Sequence, residues 1–294
     1  MGVRMMDLIT GNLDTLRYEP TAKRIRVSLG GEPVADTRDA RLVWEPRRVV
    51  PTYAVPITAL SAQLVPAGAE SGDDEAGAAP AATSDSGAAP AATSDSGVRL
   101  PGISSRPVLD PTVPFGTHYC PGTAYDVIAG DDTGAAAAYK PDDPDLADYV
   151  ILEFDAFEWR EEDEPIVSHP HDPFGRIDVL RSSRLVRVEH DGRLLAESSR
   201  PMLLFETLLP VRFYLPRDDV AVRLQPSDTV TYCAYKGRAT YYSVPDGPRD
   251  VAWAYHEPLH DAEFVRDRVC FFDEHLDVTV DGEQRERPVT PWSD

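Results

Sequence analysis

The chain says nearly the same thing twice, so its fold must be one that half the chain can build alone. Ile25-Arg26-Val27, Gly31, Val34-Ala35-Asp36-Thr37 and Leu42-Val43-Trp44-Glu45 return in constant register. Their counterparts are Val186-Arg187-Val188, Gly192, Leu195-Ala196-Glu197-Ser198 and Leu203-Leu204-Phe205-Glu206. Further on, His118-Tyr119-Cys120-Pro121-Gly122 answers to Thr231-Tyr232-Cys233 and Gly237, and Ala138-Tyr139 to Ala254-Tyr255. Asp148-Tyr149-Val150 then matches Asp267-Arg268-Val269, and Phe157-Glu158-Trp159 matches Leu276-Asp277-Val278. A repeat this long marks a duplicated domain rather than a solenoid unit. The two copies act as an internal comparison: whatever one has lost, the fold does not need.

The repeat divides the 294 residues into an extension (1–20), a first and degenerate domain (21–165), a linker (166–183), a second and more complete domain (184–283) and a tail (284–294). Each domain is long enough to bury a core of its own. The first is interrupted at about 66–105 by a run of Ala, Gly, Pro, Ser and Asp that holds the decamer GAAPAATSDS twice in tandem. Such a composition cannot bury enough apolar surface to offset its ordering entropy, so disorder is expected there.

Strand signals fill both copies. Asp191-Gly192 between Val186-Arg187-Val188 and Leu194-Leu195 is a strong hairpin signal, and Gly30-Gly31 takes its place in the first copy. Val220, Val222 and Leu224 alternate with polar residues as a half-buried strand does, and Pro216–Asp219 suits a single helical turn. No stretch keeps a helical period for three turns. The fold class is all-β, with two small sandwich-like or barrel-like units.

The net charge of −21 argues against nucleic acid and against anionic membrane surfaces as partners. Cys120, Cys233 and Cys270 form no C-x-x-C pair, which excludes a four-thiolate zinc site and makes a disulfide framework unexpected. No cofactor or metal is expected. The absence of a long apolar run and of a signal-like N-terminus makes the cytoplasm the expected compartment. Arg far outnumbers Lys, and with the Ala, Asp and Pro richness this points to a high-GC, bacterial source.

Lysine occurs only at Lys23, Lys140 and Lys236, and the last sits in the densest chemical cluster, Ser227 to Gly237, beside aromatic strands. An ammonium among phenols can anchor an anion or, once desolvated, act as a base or imine-forming amine, with Cys233 as an adjacent thiol. The expected site therefore comprises Lys236 and Arg212 as charges, Tyr214, Tyr232, Tyr242, Trp253 and Tyr255 as walls, and Glu206. Glu206 and Glu45 interrupt apolar runs at equivalent points, and a buried carboxylate needs a partner. Arg212 is the natural one for Glu206. In the first copy Cys120-Pro121-Gly122 is shorter by the Tyr-Lys pair, and Arg212–Tyr214 becomes Pro51–Tyr53, so the second copy is expected to be the binding-competent one. His169-x-His171 reads as a rigid linker before it reads as a metal site, and Glu161 to Glu164 as a solvated turn.

The words Leu204-Phe205-Glu206-Thr207, Pro210 through Val220, Ser227 through Ala239 with Tyr232-Cys233-Ala234-Tyr235-Lys236-Gly237, and Trp253-Ala254-Tyr255 occur in an order that resembles domain of unknown function 427. That family also carries a nucleotidyltransferase-type label. The resemblance spans nearly all of 184–282, and the linker from His169 to Leu180 resembles the junction of tandem members. It implies a β-tent-like fold of two small antiparallel sheets and a pocket under the Tyr-Cys-x-Tyr-Lys-Gly segment, and it implies no established reaction. A nucleotidyltransferase needs a phosphate cradle and paired metal-binding carboxylates, neither of which is plain here. The leading expectation is a module that binds a small polar or anionic molecule. The alternatives are an enzyme of transferase or lyase type with Lys236 as amine or base, and a scaffold. The oligomeric state is not legible.

Overall fold

The computed structural model describes residues 2–3, 7–8, 11–68, 114–290 and 292–293, with the backbone of a two-strand ladder at 98–99 and 107–108. Most of the insert expected to be disordered lies outside the described residues. Its first residue, Pro66, ends a strand.

Two units divide the chain near residue 170, and the same eleven strands recur in each. The first unit holds β1 (Arg17–Pro20), β2 (Ile25–Leu29), β3 (Glu32–Thr37), β4 (Arg41–Trp44), β5 (Thr52–Pro56), β6 (Gln63–Pro66), β7 (Gly122–Ala129), β8 (Asp132–Pro141), β9 (Tyr149–Leu152), β10 (Glu158–Glu161) and β11 (Glu164–Pro165). The second holds β12 (Ile177–Arg181), β13 (Val186–His190), β14 (Arg193–Ser198), β15 (Met202–Glu206), β16 (Arg212–Leu215), β17 (Gln225–Cys233), β18 (Gly237–Ser243), β19 (Ala252–Tyr255), β20 (Val269–Phe271), β21 (Asp277–Val280) and β22 (Glu283–Gln284).

In the first unit a seven-stranded sheet, β1-β4-β5-β9-β8-β7-β6, faces a four-stranded one, β11-β10-β2-β3. The second repeats this order strand for strand as β12-β15-β16-β20-β19-β18-β17 and β22-β21-β13-β14. Even the bulge recurs, between Val27 and Ser28 and between Val188 and Glu189. The fold is all-β, two similar two-sheet domains in tandem, and no sheet closes into a barrel. Each large sheet starts earlier than the repeat did: β1 falls within the extension and β12 within the linker. Among the described residues no helix is long and apolar enough to cross a membrane.

The elements follow from local chemistry. Both β2–β3 and β13–β14 turn on two residues with positive φ, Gly30-Gly31 (57° and 89°) and Asp191-Gly192 (49° and 76°), which suits the strand twist of a two-residue hairpin. The cores alternate as strands require. Ile25, Val27, Leu42, Tyr53, Val55, Leu152 and Trp159 meet between the sheets of the first unit. Val186, Val188, Leu203, Phe213, Leu215, Phe271 and Val278 do so in the second. Val220, Val222 and Leu224 do not form the expected strand. Val220 makes an isolated bridge to Ala196, and all three pack on the core from a loop that follows the expected single turn, Arg217–Asp219. Glu161 is likewise no solvated turn residue: it is buried and accepts from Lys23 and from the Tyr53 hydroxyl.

Hydrogen-bond register corrects the letter-by-letter match of the copies. Leu42 faces Tyr53 where Leu203 faces Phe213, and Ala54 faces Ile151 where Tyr214 faces Cys270. Thr52-Tyr53-Ala54 therefore stands where Arg212-Phe213-Tyr214 stands, one residue off the expected pairing. Ala138-Tyr139 corresponds to Ala252-Trp253, since Ala138 faces Leu152 and Ala252 faces Phe271. A slip of one residue moves a side chain to the other face of its sheet. Tyr53 consequently belongs to the inner core and Tyr214 to the outer face.

Leu215 is fully buried between the sheets of the second unit. Replacing it with Ala should destabilise that unit by about 2–5 kcal/mol, measured by urea denaturation. A loss under about 1 kcal/mol would mean that the inner face is not the packed layer described.

Candidate functional site

The site grows from the β17–β18 hairpin. Cys233 pairs with Gly237 across a three-residue turn, Ala234-Tyr235-Lys236. Gly237 takes a φ of +85°, a conformation that side chains other than glycine rarely adopt, and this brings the chain sharply back into β18. The turn is tied on both flanks. His171 Nε2 lies 2.7 Å from the Ala234 carbonyl, the Asp172 N–H donates to the Tyr235 hydroxyl, and the Leu259 N–H donates to the Lys236 carbonyl. His171 thus clamps the turn.

So fixed, Lys236 sits 8% exposed with Nζ 2.5 Å from Glu206 Oε2 at the end of β15. Burial works against its charge, but the neighbouring Cys233 and Glu206 outweigh it, and the pKa stands above the ordinary lysine value. The group is therefore an ammonium at any physiological pH, which suits anchoring an anion and not accepting a proton. The partner expected for Glu206, Arg212, is engaged elsewhere.

The expected walls do not line one cavity. Tyr214, Trp253 and Tyr255 share the outer face of the large sheet with Met202, Leu204, Ala239 and Cys270, covered by Ala262 and Val265 of the short 3-10 helix His260–Val265. They are packed core: Trp253 Nε1 donates to the Tyr214 hydroxyl at 3.1 Å, and burial pushes the Tyr214 and Tyr255 phenols well up. Tyr242 belongs to the opposite, inner cluster, because alternate residues of a strand face opposite ways. Tyr232 is 58% exposed.

Arg212 forms a second buried centre. Its fork donates to both Glu274 oxygens at 2.8 and 2.6 Å and to Asp273, under the rings of Trp253 and Phe272. The tail closes this centre: Thr290, buried, donates its hydroxyl to Glu274 Oε1 at 2.5 Å. Burial holds Asp273 above the usual carboxylate range. On Glu274 burial acts the same way, but Arg212 and Thr290 prevail and hold it below. A guanidinium whose fork is filled on two carboxylates is a strut of the fold.

The first unit has not lost its cation. At Glu45, the equivalent of Glu206, His118 Nδ1 stands 2.8 Å from Oε1, while the Tyr119 N–H donates to Oε2 at 2.8 Å and the Cys120 thiol lies 3.5 Å away. His118 Nε2 lies 3.0 Å from Glu153 Oε1, in ion-pair range but out of line for a hydrogen bond. The ring stacks on Tyr139 with 3.5 Å between centroids. Arg48 holds the delivering loop by donating to the carbonyls of Pro114, Phe115 and Thr117. Burial opposes the imidazolium, yet Glu153 and Glu45 raise its pKa to about 9. Glu45 is held low against its own burial by His118 and Tyr119, and burial with Glu45 pushes the Cys120 thiol up to about 12.

His118, Glu153, Asp273 and Glu274 escaped the sequence reading as site residues. Each acts on a partner far away along the chain, and neither spacing nor composition signals such pairs. A family model described as Domain of unknown function (DUF427) matches residues 178–282, from β12 to the turn after β21. No match was found among curated proteins.

Two measurements check these centres. With a folded-state pKa of about 9 against about 6.5 unfolded, the His118 contribution is fully present below about pH 6.5 and lost as pH rises through 9. It amounts to roughly 3 kcal/mol. The urea midpoint of the first unit should fall between pH 6.5 and 10 by more in the native chain than in His118→Gln, and parallel curves would refute the pairing. Arg212→Leu strands two buried carboxylates and should cost about 3–5 kcal/mol. A neutral outcome would show that the centre is solvated.

Proposed function

Taking residues 178–282 as a domain of this unknown-function family, we propose that the second unit binds a small anionic molecule at the Lys236 turn. The observation that carries the reading is an ammonium kept charged in a nearly dry place whose counter-ion is only partly withdrawn. Lys236 is almost buried, while the Glu206 side chain remains 18% exposed. An incoming carboxylate or phosphate would take the place of the Glu206 carboxylate on Nζ, with the exposed Tyr232 and the half-buried Cys233 at the rim. Exchange of one anion for another costs less than burying a new charge. The raised pKa of Lys236 counts against the alternative in which it serves as an amine nucleophile or a base. The packing of Tyr214, Trp253 and Tyr255 makes them supports beneath the site, and Arg212 a support for them.

The test is a comparison of inorganic phosphate with chloride at equal ionic strength on the full chain. Phosphate should raise the melting temperature of the native protein and of Lys236→Arg, which keeps the charge, and should not raise that of Lys236→Met. Glu206→Gln removes the internal competitor and should tighten phosphate binding about tenfold, roughly 1.4 kcal/mol. Equal phosphate effects in Lys236→Met and the native chain would end the reading.

A further inference from the structure

At the rim of the inner core of the second unit, three side chains form one hydrogen-bonded chain. The Tyr242 hydroxyl lies 2.9 Å from His256 Nε2, and His256 Nδ1 lies 2.6 Å from Asp267 Oδ1. A carboxylate at Nδ1 fixes the proton on that nitrogen, so Nε2 is left as the acceptor and the phenol donates to it. The Arg266 guanidinium, itself paired with Glu263, donates to the His256 carbonyl and holds the backbone there. The Arg217 guanidinium lies over the Tyr242 ring, 5.1 Å from its centroid, and it is exposed and forms no ion pair among the described residues.

The internal comparison shows that the fold does not require the chain. Tyr125 is the register equivalent of Tyr242, since Pro66 pairs with Tyr125 as Pro226 pairs with Tyr242. Counting on from the paired alanines, Asp142 stands where His256 stands, and counting back from the matched strand β20, Asp148 stands where Asp267 does. Ile57 opens the 3-10 turn that Arg217 opens in the second unit. Tyrosine and aspartate are thus common to both units, while the base between them and the cation above belong to the second alone. A hydroxyl, an imidazole that accepts its proton and a carboxylate that orients the imidazole are the parts of an activated nucleophile.

We infer that Tyr242 is a nucleophilic phenol, activated by His256, with Asp267 as its positioning residue and Arg217 as the anchor for a small acyl ester that carries a carboxylate or phosphate. In the step, the phenolic proton passes to His256 Nε2 as the Tyr242 Oη–acyl bond forms. The ester C–O bond breaks, and the leaving oxygen takes the proton back from His256. Tyr242 is only 6% exposed, whereas His256 and Arg217 are both open to solvent, so the approach is confined to their side. This inference stands on a different cluster from the Lys236 turn and does not depend on it.

The probe is 4-(fluorosulfonyl)benzoate, an anionic electrophile that captures the phenol with loss of fluoride, the Oη–S bond replacing S–F. After brief labelling of the full chain and peptide mapping by mass spectrometry, Tyr242 should be modified at least tenfold faster than Tyr232, despite the greater exposure of Tyr232. His256→Ala, which removes an exposed side chain, should abolish that preference, and Arg217→Ala should abolish the advantage of the anionic probe over neutral benzenesulfonyl fluoride. Labelling of Tyr242 at or below the rate of Tyr232, or undiminished in His256→Ala, overturns the proposal. Should His256→Ala lose its cooperative melt, Asp267→Asn decides by the same criterion. An anionic advantage that survives Arg217→Ala overturns the substrate class.

Discussion

Each unit sets a glutamate at the end of the strand next to its sheet edge, Glu45 buried and Glu206 with a side chain 18% exposed, and the loop above it in each unit delivers the cation that neutralises it. A carboxylate taken out of water without a partner costs several kcal/mol, so a cation must be delivered to that point. In the second unit the delivery is made by a hairpin turn, tied down by His171, Asp172 and Leu259, that carries Lys236 to Glu206. In the first, Arg48 pins the carbonyls of Pro114, Phe115 and Thr117 so that His118 reaches Glu45. One electrostatic problem has been solved twice, with different residues on different lengths of chain.

The choice of cation separates the units chemically. Lys236 is held above the ordinary lysine pKa, whereas that of the His118 imidazole is raised to about 9, within reach of alkaline titration. His118 also answers two carboxylates, Glu45 and Glu153, where Lys236 answers one that keeps some contact with solvent. The first centre is closed and self-contained. The second has a counter-ion that an external anion can displace. The duplicated fold therefore offers two near-identical frames with unequal chemistry at the same point.

Much of the frame was legible in the sequence. The hairpins at Gly30-Gly31 and Asp191-Gly192, the all-β class and the doubling rest on local rules of turn geometry and alternation that the structure obeys. Register was not legible, because the letters favour matching Tyr53 with Tyr214 while the ladders set Tyr53 opposite Leu42, as Phe213 is set opposite Leu203. The site was legible in part. A scarce lysine beside a glycine stood out, and the equivalence of Glu45 and Glu206 marked the constraint. The partner of Glu206 is Lys236, not the expected Arg212. Arg212 lies against the Trp253 and Phe272 rings and meets Asp273 and Glu274, about sixty residues on. His118 was hidden by the length difference between the two loops, since only the folded ladder shows that both loops end on the same carboxylate.

The measurement that bears most directly on this account is a double-mutant cycle on Glu206 and Lys236, using Glu206→Gln, Lys236→Met and the pair together, followed by denaturant unfolding of the second unit. If the partly buried carboxylate dictates the turn above it, the coupling should be at least about 2 kcal/mol, with the double variant less damaged than the two losses summed. Additive losses, with coupling below about 0.5 kcal/mol, would show that the two groups are neighbours without being partners.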